Sequence, residues 1–275
     1  MTLRYWTAGE SHGKTLVAIL DGFPAGVELD TGPIDAELRR RQGGYGRGGR
    51  QRIETDAVEL LSGIWRNVSL GSPIALQVVN KDYKLERLED LARPRPGHGD
   101  LTGAMKYLGP IRGVLERASA RETTVRVAAG AVARQLLSKF GIEVIGYVVE
   151  LGGIKLDPPE ASLDDRLRFR ASSEIYSLDP SKDAEVKSLI DECGKEGDTL
   201  GGIVEVRVVQ GVEHLCPELK FEPLSELERL DKTKVEIPVT GRDEDVATGA
   251  VLTWCREAKR LCQINAARQG IDRLE

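Results

Sequence analysis

Three stretches of this sequence combine residue types that move protons or grip anions. His12 lies in Gly9-Glu10-Ser11-His12-Gly13, and His98 lies in Pro96-Gly97-His98-Gly99-Asp100. Glycines on both sides leave each imidazole with little packing around it, which is unlike an ordinary core histidine. Histidine is also the side chain best suited to exchange protons near neutral pH. The third histidine, His214, sits in an unremarkable Val-Glu-His-Leu-Cys setting.

Residues 39–52 hold six arginines, five glycines and no acid. Glycines let backbone N–H groups approach a ligand, and guanidinium forks grip phosphate or carboxylate in bidentate fashion. Three readings stand on composition: an anion clamp, a solvated charge run, or an arginine-glycine nucleic-acid segment. The run is a single short element inside an ordered pattern, which favours a small phosphorylated ligand. A further constellation is Glu116-Arg117-Ala118-Ser119-Ala120-Arg121-Glu122-Thr123 at the start of an apolar-periodic stretch. Backbone donors plus a guanidinium at a helix start suit a phosphate or an electron-rich ring edge. Equally, Arg117 and Arg121 could simply pair with Glu122 or Glu116 at helical spacing.

The elements that would position these groups are legible in outline. Leu16–Asp21, Ile74–Asn80, Ile142–Leu151 and Ile203–Val209 read as strands. Asp35–Arg41 reads as a helix, and so does Val114–Phe140, with Val125, Ala129, Val132, Leu136 and Phe140 on one stripe before Gly141. Ser181–Cys193 reads as a third helix stopped by Gly194. Residues 39–52 and 93–100 read as loops. The mixture predicts an α/β or α+β fold with sheets packed on helices.

The chain has 275 residues, 40% hydrophobic and 30% charged, with a net charge of −5. That charge, with no aromatic interleaved among the arginines beyond Tyr45, argues against nucleic acid as partner. No run approaches the ~18 apolar residues of a membrane span. Four cysteines form no CxxC pair and no histidine ladder accompanies them, so no metal site is expected. A cytoplasmic protein with reduced thiols is the expectation.

Taken together, the motifs resemble those of the chorismate synthase family. Gly9–Gly13 followed by Asp21-Gly22-Phe23-Pro24-Ala25-Gly26 is similar to its opening motif, and Arg39–Arg52 to its arginine-glycine loop. Arg95–Asp100 resembles its second histidine motif, with Gly99 where alanine is usual, and Arg117–Gly130 its central motif. The likeness runs from Leu3 to about Val208. It implies conversion of 5-enolpyruvylshikimate 3-phosphate to chorismate and phosphate, a 1,4-elimination that needs reduced FMN. It further implies a sandwich of sheets around central helices, assembled as a homotetramer, with residues 1–208 as the core.

On that resemblance His98 would give a proton to the leaving phosphate, and His12 would protonate or steady the reduced flavin. Arg40, Arg50 and Arg121 would bind substrate. Arg117, Ala118 and Ser119 match FMN positions, and Arg41 and Arg47 match positions for NADPH in members that reduce their own flavin. Residues 209–275 depart from the family pattern and end in an amphipathic helix over Ala247–Ala267. That departure carries the expectation of a half-built flavin site and weakened turnover, with an impaired member as the alternative reading.

Overall fold

The computed structural model describes residues 3–46, 53–156 and 159–209. These fall into two compact units, one holding residues 3–41 and 53–132, the other 42–46 and 133–209. The expected helix over Ala247–Ala267, Arg47, Arg50 and His214 lie outside the described residues.

The first unit opens with strands β1 (Arg4–Ala8), β2 (Thr15–Asp21) and β3 (Ala25–Glu28), then helix α1 (Thr31–Gln42). Strands β4 (Glu59–Ser62), β5 (Ile64–Trp65), β6 (Val68–Leu70) and β7 (Ile74–Val79) follow, then helices α2 (Asp100–Tyr107), α3 (Ile111–Arg117) and the first part of α4 (Thr123–Ser138), whose last residues, from Ala133, belong to the second unit. An antiparallel sheet in the order β1-β2-β7-β4 is its main layer, with Trp6 opposite Ile19 and Ile19 opposite Ala75. Period-two alternation decides which face is dry. Leu16, Ala18 and Leu20 on β2 and Ile74, Leu76 and Val78 on β7 are all buried. A smaller sheet, β3-β6-β5, is tied at Ser69, whose hydroxyl accepts Val27 N–H and donates to the Pro24 carbonyl.

The second unit contains β8 (Glu143–Leu151), β9 (Ile154–Lys155), α5 (Leu163–Ser172), α6 (Asp183–Glu196) and β10 (Gly202–Val209). Its sheet runs β10-β8-β9, antiparallel throughout. Two apolar clusters hold it: Ile145, Tyr147 and Leu178 in one, Leu156, Ile175 and Val186 in the other.

Four expectations are corrected in detail. Arg39–Gln42 is the last turn of α1 rather than loop, a place where three arginines complement the carbonyl end of the helix dipole. Asp100 likewise begins α2. The single helix expected over 114–140 is two, because Ser119 takes an extended backbone and its hydroxyl accepts the Arg121 N–H at 3.3 Å. A serine that offers the backbone another partner is a helix start, not an interior residue. Finally, α6 passes through Gly194 and stops at Gly197, whose φ of 72° is the left-handed conformation that a glycine tolerates.

Helix α4 is buried on nearly every side over Val125–Val132, as a central helix must be. Among the described residues, no helix is long and apolar enough to cross a membrane.

Candidate functional site

The motif around His12 forms the connection between β1 and β2, and its shape is imposed from beneath. Gly9 has φ of 111°, and a Cβ there would stand 2.6 Å from the Thr15 carbonyl oxygen. Gly9→Ala should therefore destabilise the chain by ~2 kcal/mol or more, from left-handed strain plus overlap. A melting curve checks it, and an unchanged midpoint would contradict the assigned conformation.

Asn80, just past β7, is the principal staple of this loop. Its buried amide donates to the carbonyls of Glu10 (3.2 Å), Ser11 (3.2 Å) and Gly13 (2.8 Å). Its oxygen accepts from Arg121 Nε at 2.8 Å. The His12 carbonyl accepts the N–H groups of Lys84 (3.1 Å) and Leu85 (2.9 Å). The loop is thus fixed by backbone bonds, and the imidazole is placed by what grips the backbone.

That imidazole lies between two carboxylates. Its Nδ1 is 2.8 Å from Glu116 Oε2, and the His12 backbone N–H donates to the same oxygen at 2.9 Å. Its Nε2 stands 3.3 Å from Asp82 Oδ2. Glu116, at the end of α3, is 0% exposed. Its Oε1 lies 3.7 Å from Arg112 Nη1.

Below the loop runs a buried set of charges. Arg121 is 6% exposed, and its Nη1 donates to Asp56 Oδ2 at 2.8 Å. Its Nη2 lies 2.7 Å from Asp56 Oδ1 and 3.6 Å from Glu54 Oε2. Glu54 in turn accepts the N–H groups of Lys81 (2.8 Å) and Asp82 (3.3 Å), fixing the turn that carries Asp82. Arg41 is 3% exposed, donates to Thr123 Oγ1 and to the Ala120 carbonyl, each at 2.8 Å, and lies 3.8 Å from Asp56. Buried charges are tolerated only when paired and hydrogen-bonded, and these are.

His98 sits in an exposed loop, with Nδ1 donating to the Pro96 carbonyl at 3.0 Å. Arg95 and Asp100 close the loop. Asp100 is wholly buried and accepts Arg95 N–H (3.0 Å), Nε (2.9 Å) and Nη2 (3.1 Å). The Arg95 fork holds the Asp100 carboxyl down to about 2, against the opposing effect of burial. Arg95 also lies in the field of Glu116.

A carboxyl lowered on folding stabilises the protein above its unfolded value. That contribution is lost as pH falls from about 4 towards about 2. Asp100→Asn should therefore lower the melting temperature at pH 6, with the gap to wild type closing between pH 4 and pH 2. A gap that is constant down to pH 2 would contradict the pairing.

Arg117 is half-buried and donates to the Thr7 carbonyl (2.9 Å), Thr7 Oγ1 (2.9 Å) and the Gly9 carbonyl (3.3 Å). Burial raises the Glu122 carboxyl, but hydrogen bonds from Arg126 and Thr7 and the charges of Arg126 and Arg117 outweigh it and hold it low. Ala118 is exposed and Ser119 half-buried, so the turn between α3 and α4 is an open edge beside the His12 loop.

Of the residues singled out in sequence, the first unit brings together His12, Arg117, Ala118 and Ser119, and carries His98 on a separate exposed loop. Arg40 pairs with Glu37 in the last turns of α1. Arg41 and Arg121, expected at NADPH and substrate respectively, are buried, Arg41 donating to Thr123 and Ala120 and Arg121 donating through Nε and Nη1 to Asn80 and Asp56. Sequence reading passed over Asn80, Glu116, Asp82 and Asp56. For Glu116 a signal existed, its place beside Arg117, but it was spent on helical pairing. For Asn80 and Asp56 there was none, since their partners lie 41 and 65 residues away.

A family model described as "Chorismate synthase" matches residues 3–221, somewhat beyond the expected limit near Val208. A chorismate synthase of Geotalea uraniireducens is 52% identical over 219 residues, covering 75% of this chain and 56% of its own length. One of Streptococcus mutans is 49% identical over 226 residues, covering 76% and 58%. A solved structure titled "Crystal Structure of Chorismate Synthase" aligns at a TM-score of 0.62 and 39% identity, covering 76% of this chain and 58% of that one. The chain therefore spans under three-fifths of the length of the relatives it matches. The likeness supports an α+β fold of that type.

Proposed function

We infer the function from membership: the chain belongs to the chorismate synthase family. The reading its geometry supports best is a lyase that converts 5-enolpyruvylshikimate 3-phosphate to chorismate and phosphate. The observation that carries it is His12, an imidazole held between Glu116 and Asp82 beside the open turn Ala118–Ser119.

Whether these residues suit a flavin is a question of donor chemistry. The turn offers an exposed edge with a hydroxyl next to a guanidinium, donor chemistry that would fit one edge of FMN. Arg117, Ala118 and Ser119 would hold that edge. Reduced FMN, when bound, supplies the electron density that the elimination borrows and returns without net redox change. His12 would hold or give a proton at Nε2, because Nδ1 is committed to Glu116. His98, with Nδ1 on the Pro96 carbonyl, would give a proton from Nε2 to the departing phosphate. Arg40, Arg47 and Arg50 would neutralise the substrate's phosphate and carboxylates, and Arg121 and Arg41 would act from below by holding the loops. NADPH as reductant, a homotetramer, a cytoplasmic setting and a core of residues 1–208 belong to the same reading.

The test is an anaerobic incubation of the chain with substrate and reduced FMN, following chorismate and inorganic phosphate together. Equal molar release of both is expected. Phosphate without chorismate would point to a phosphatase-like hydrolysis and overturn the assignment.

A further inference from the structure

We propose that Glu116 is the positioning residue of His12: it keeps the ring proton on Nδ1 and so presents Nε2, at which Asp82 stands, as the nitrogen that exchanges protons. The proposal rests on the reading of His12 as an acid–base group, but its geometry is independent of substrate.

A single oxygen, Glu116 Oε2, meets His12 twice, at the backbone N–H (2.9 Å) and at ring Nδ1 (2.8 Å). The backbone bond fixes this oxygen relative to the His12 main chain, and the ring bond then draws Nδ1 to that fixed point. The Glu116 carbonyl adds a third, accepting the Ser11 N–H at 2.9 Å. A carboxylate only accepts, so the hydrogen of the 2.8 Å bond belongs to Nδ1, while Asp82, farther away at 3.3 Å, makes an ion pair with Nε2 only when the ring carries a second proton.

Glu116 is itself held in place. It is wholly buried, and its second oxygen faces Arg112 at 3.7 Å. Arg112 is anchored by its N–H to Asp90 Oδ1 and its Nε to the Glu89 carbonyl, each at 2.8 Å. On the opposite edge of the ring, Asp82 Oδ2 is 3.3 Å from Nε2 and takes Lys84 Nζ at 3.0 Å. Asp82 is partly open to solvent, whereas Glu116 is not. The two carboxylates thus divide the work: the dry one orients, and the wetter one lies where a proton can pass to or from Nε2.

The test reads the tautomer directly. Long-range proton–nitrogen spectra of histidine-labelled full chain, at a pH where the ring is neutral, identify which nitrogen carries hydrogen; His12→Asn assigns the signals. The Nδ1–H form is expected in wild type and in Asp82→Asn. Glu116→Leu, which removes the acceptor, should shift the population towards Nε2–H, whereas Glu116→Gln, whose amide oxygen can accept both N–H groups, should keep Nδ1–H in part. Where the chain turns over, Glu116→Leu should lower kcat by ~100-fold or more with KM little changed, as expected when a histidine loses its orienting carboxylate.

A wild-type ring protonated on Nε2 alone, or a folded Glu116→Leu chain with the wild-type tautomer, would overturn the proposal whatever the activity. If Glu116→Leu fails to fold by circular dichroism, the wild-type tautomer alone decides. An Nδ1–H ring in a chain that forms no chorismate would leave the positioning role standing and strike down the reading of function.

Discussion

Arg121→Met is expected to lower the melting temperature by on the order of 10 °C. The guanidinium is buried with Asp56 and Asn80 as direct partners and Glu54 close by. Removing one member of a buried ion pair costs ~3–5 kcal/mol, because the partner charge is left without compensation. In a chain of this size each kcal/mol is worth ~2–4 °C. The loss should spread to the His12 loop, since Asn80 staples that loop and Arg121 holds Asn80. Amide exchange at Ser11–Gly13 should accelerate in the variant. Asp56→Asn should destabilise in the same direction but by less, because a polar acceptor remains. A surface substrate clamp would behave otherwise, weakening ligand binding at an unchanged melting temperature, and that outcome would return Arg121 to the role expected from sequence.

His12→Ala and His98→Ala should each lower turnover by ~100- to 10,000-fold, the usual scale for a lost acid–base group. The two variants should differ in stability. His98 is exposed and, among the described residues, bonded only to its own loop, so its removal should shift stability by less than ~0.5 kcal/mol. His12→Ala deprives the buried Glu116 of one of its donors while the backbone N–H remains, so a loss of ~1–3 kcal/mol accompanies the kinetic defect. Unchanged turnover in either variant of an active preparation would remove that residue from the mechanism.

These contrasts show what was legible in the sequence. Strands β2 and β7 were, because alternation of aliphatics maps directly onto a sheet with one dry face. The burial of α4 was, because its stripe of valine and alanine is dense. The break at Ser119 was not, since a serine's choice between helix interior and helix cap depends on whether its hydroxyl finds a backbone N–H. Nor was the stop at Gly197, since either glycine could end α6 and only φ distinguishes them. For the site, glycine-flanked histidines were visible as unpacked imidazoles. The partners of the arginines were not visible: a guanidinium reads as an anion clamp until its acid is seen, and Asp56 is far from Arg121 in sequence. Local motifs therefore pointed to the groups proposed to do chemistry, and long-range pairing supplied the groups that hold them.

The account turns on whether the His12 loop and the turn Arg117–Ser119 recognise flavin together with a phosphorylated substrate. Fluorescence quenching of FMN on titration with the full chain, with and without 5-enolpyruvylshikimate 3-phosphate, tests this most directly. The account predicts saturable quenching whose apparent affinity rises at least tenfold (~1.4 kcal/mol) when substrate is present. Quenching that is absent, or indifferent to substrate in a chain that melts cooperatively, would contradict it.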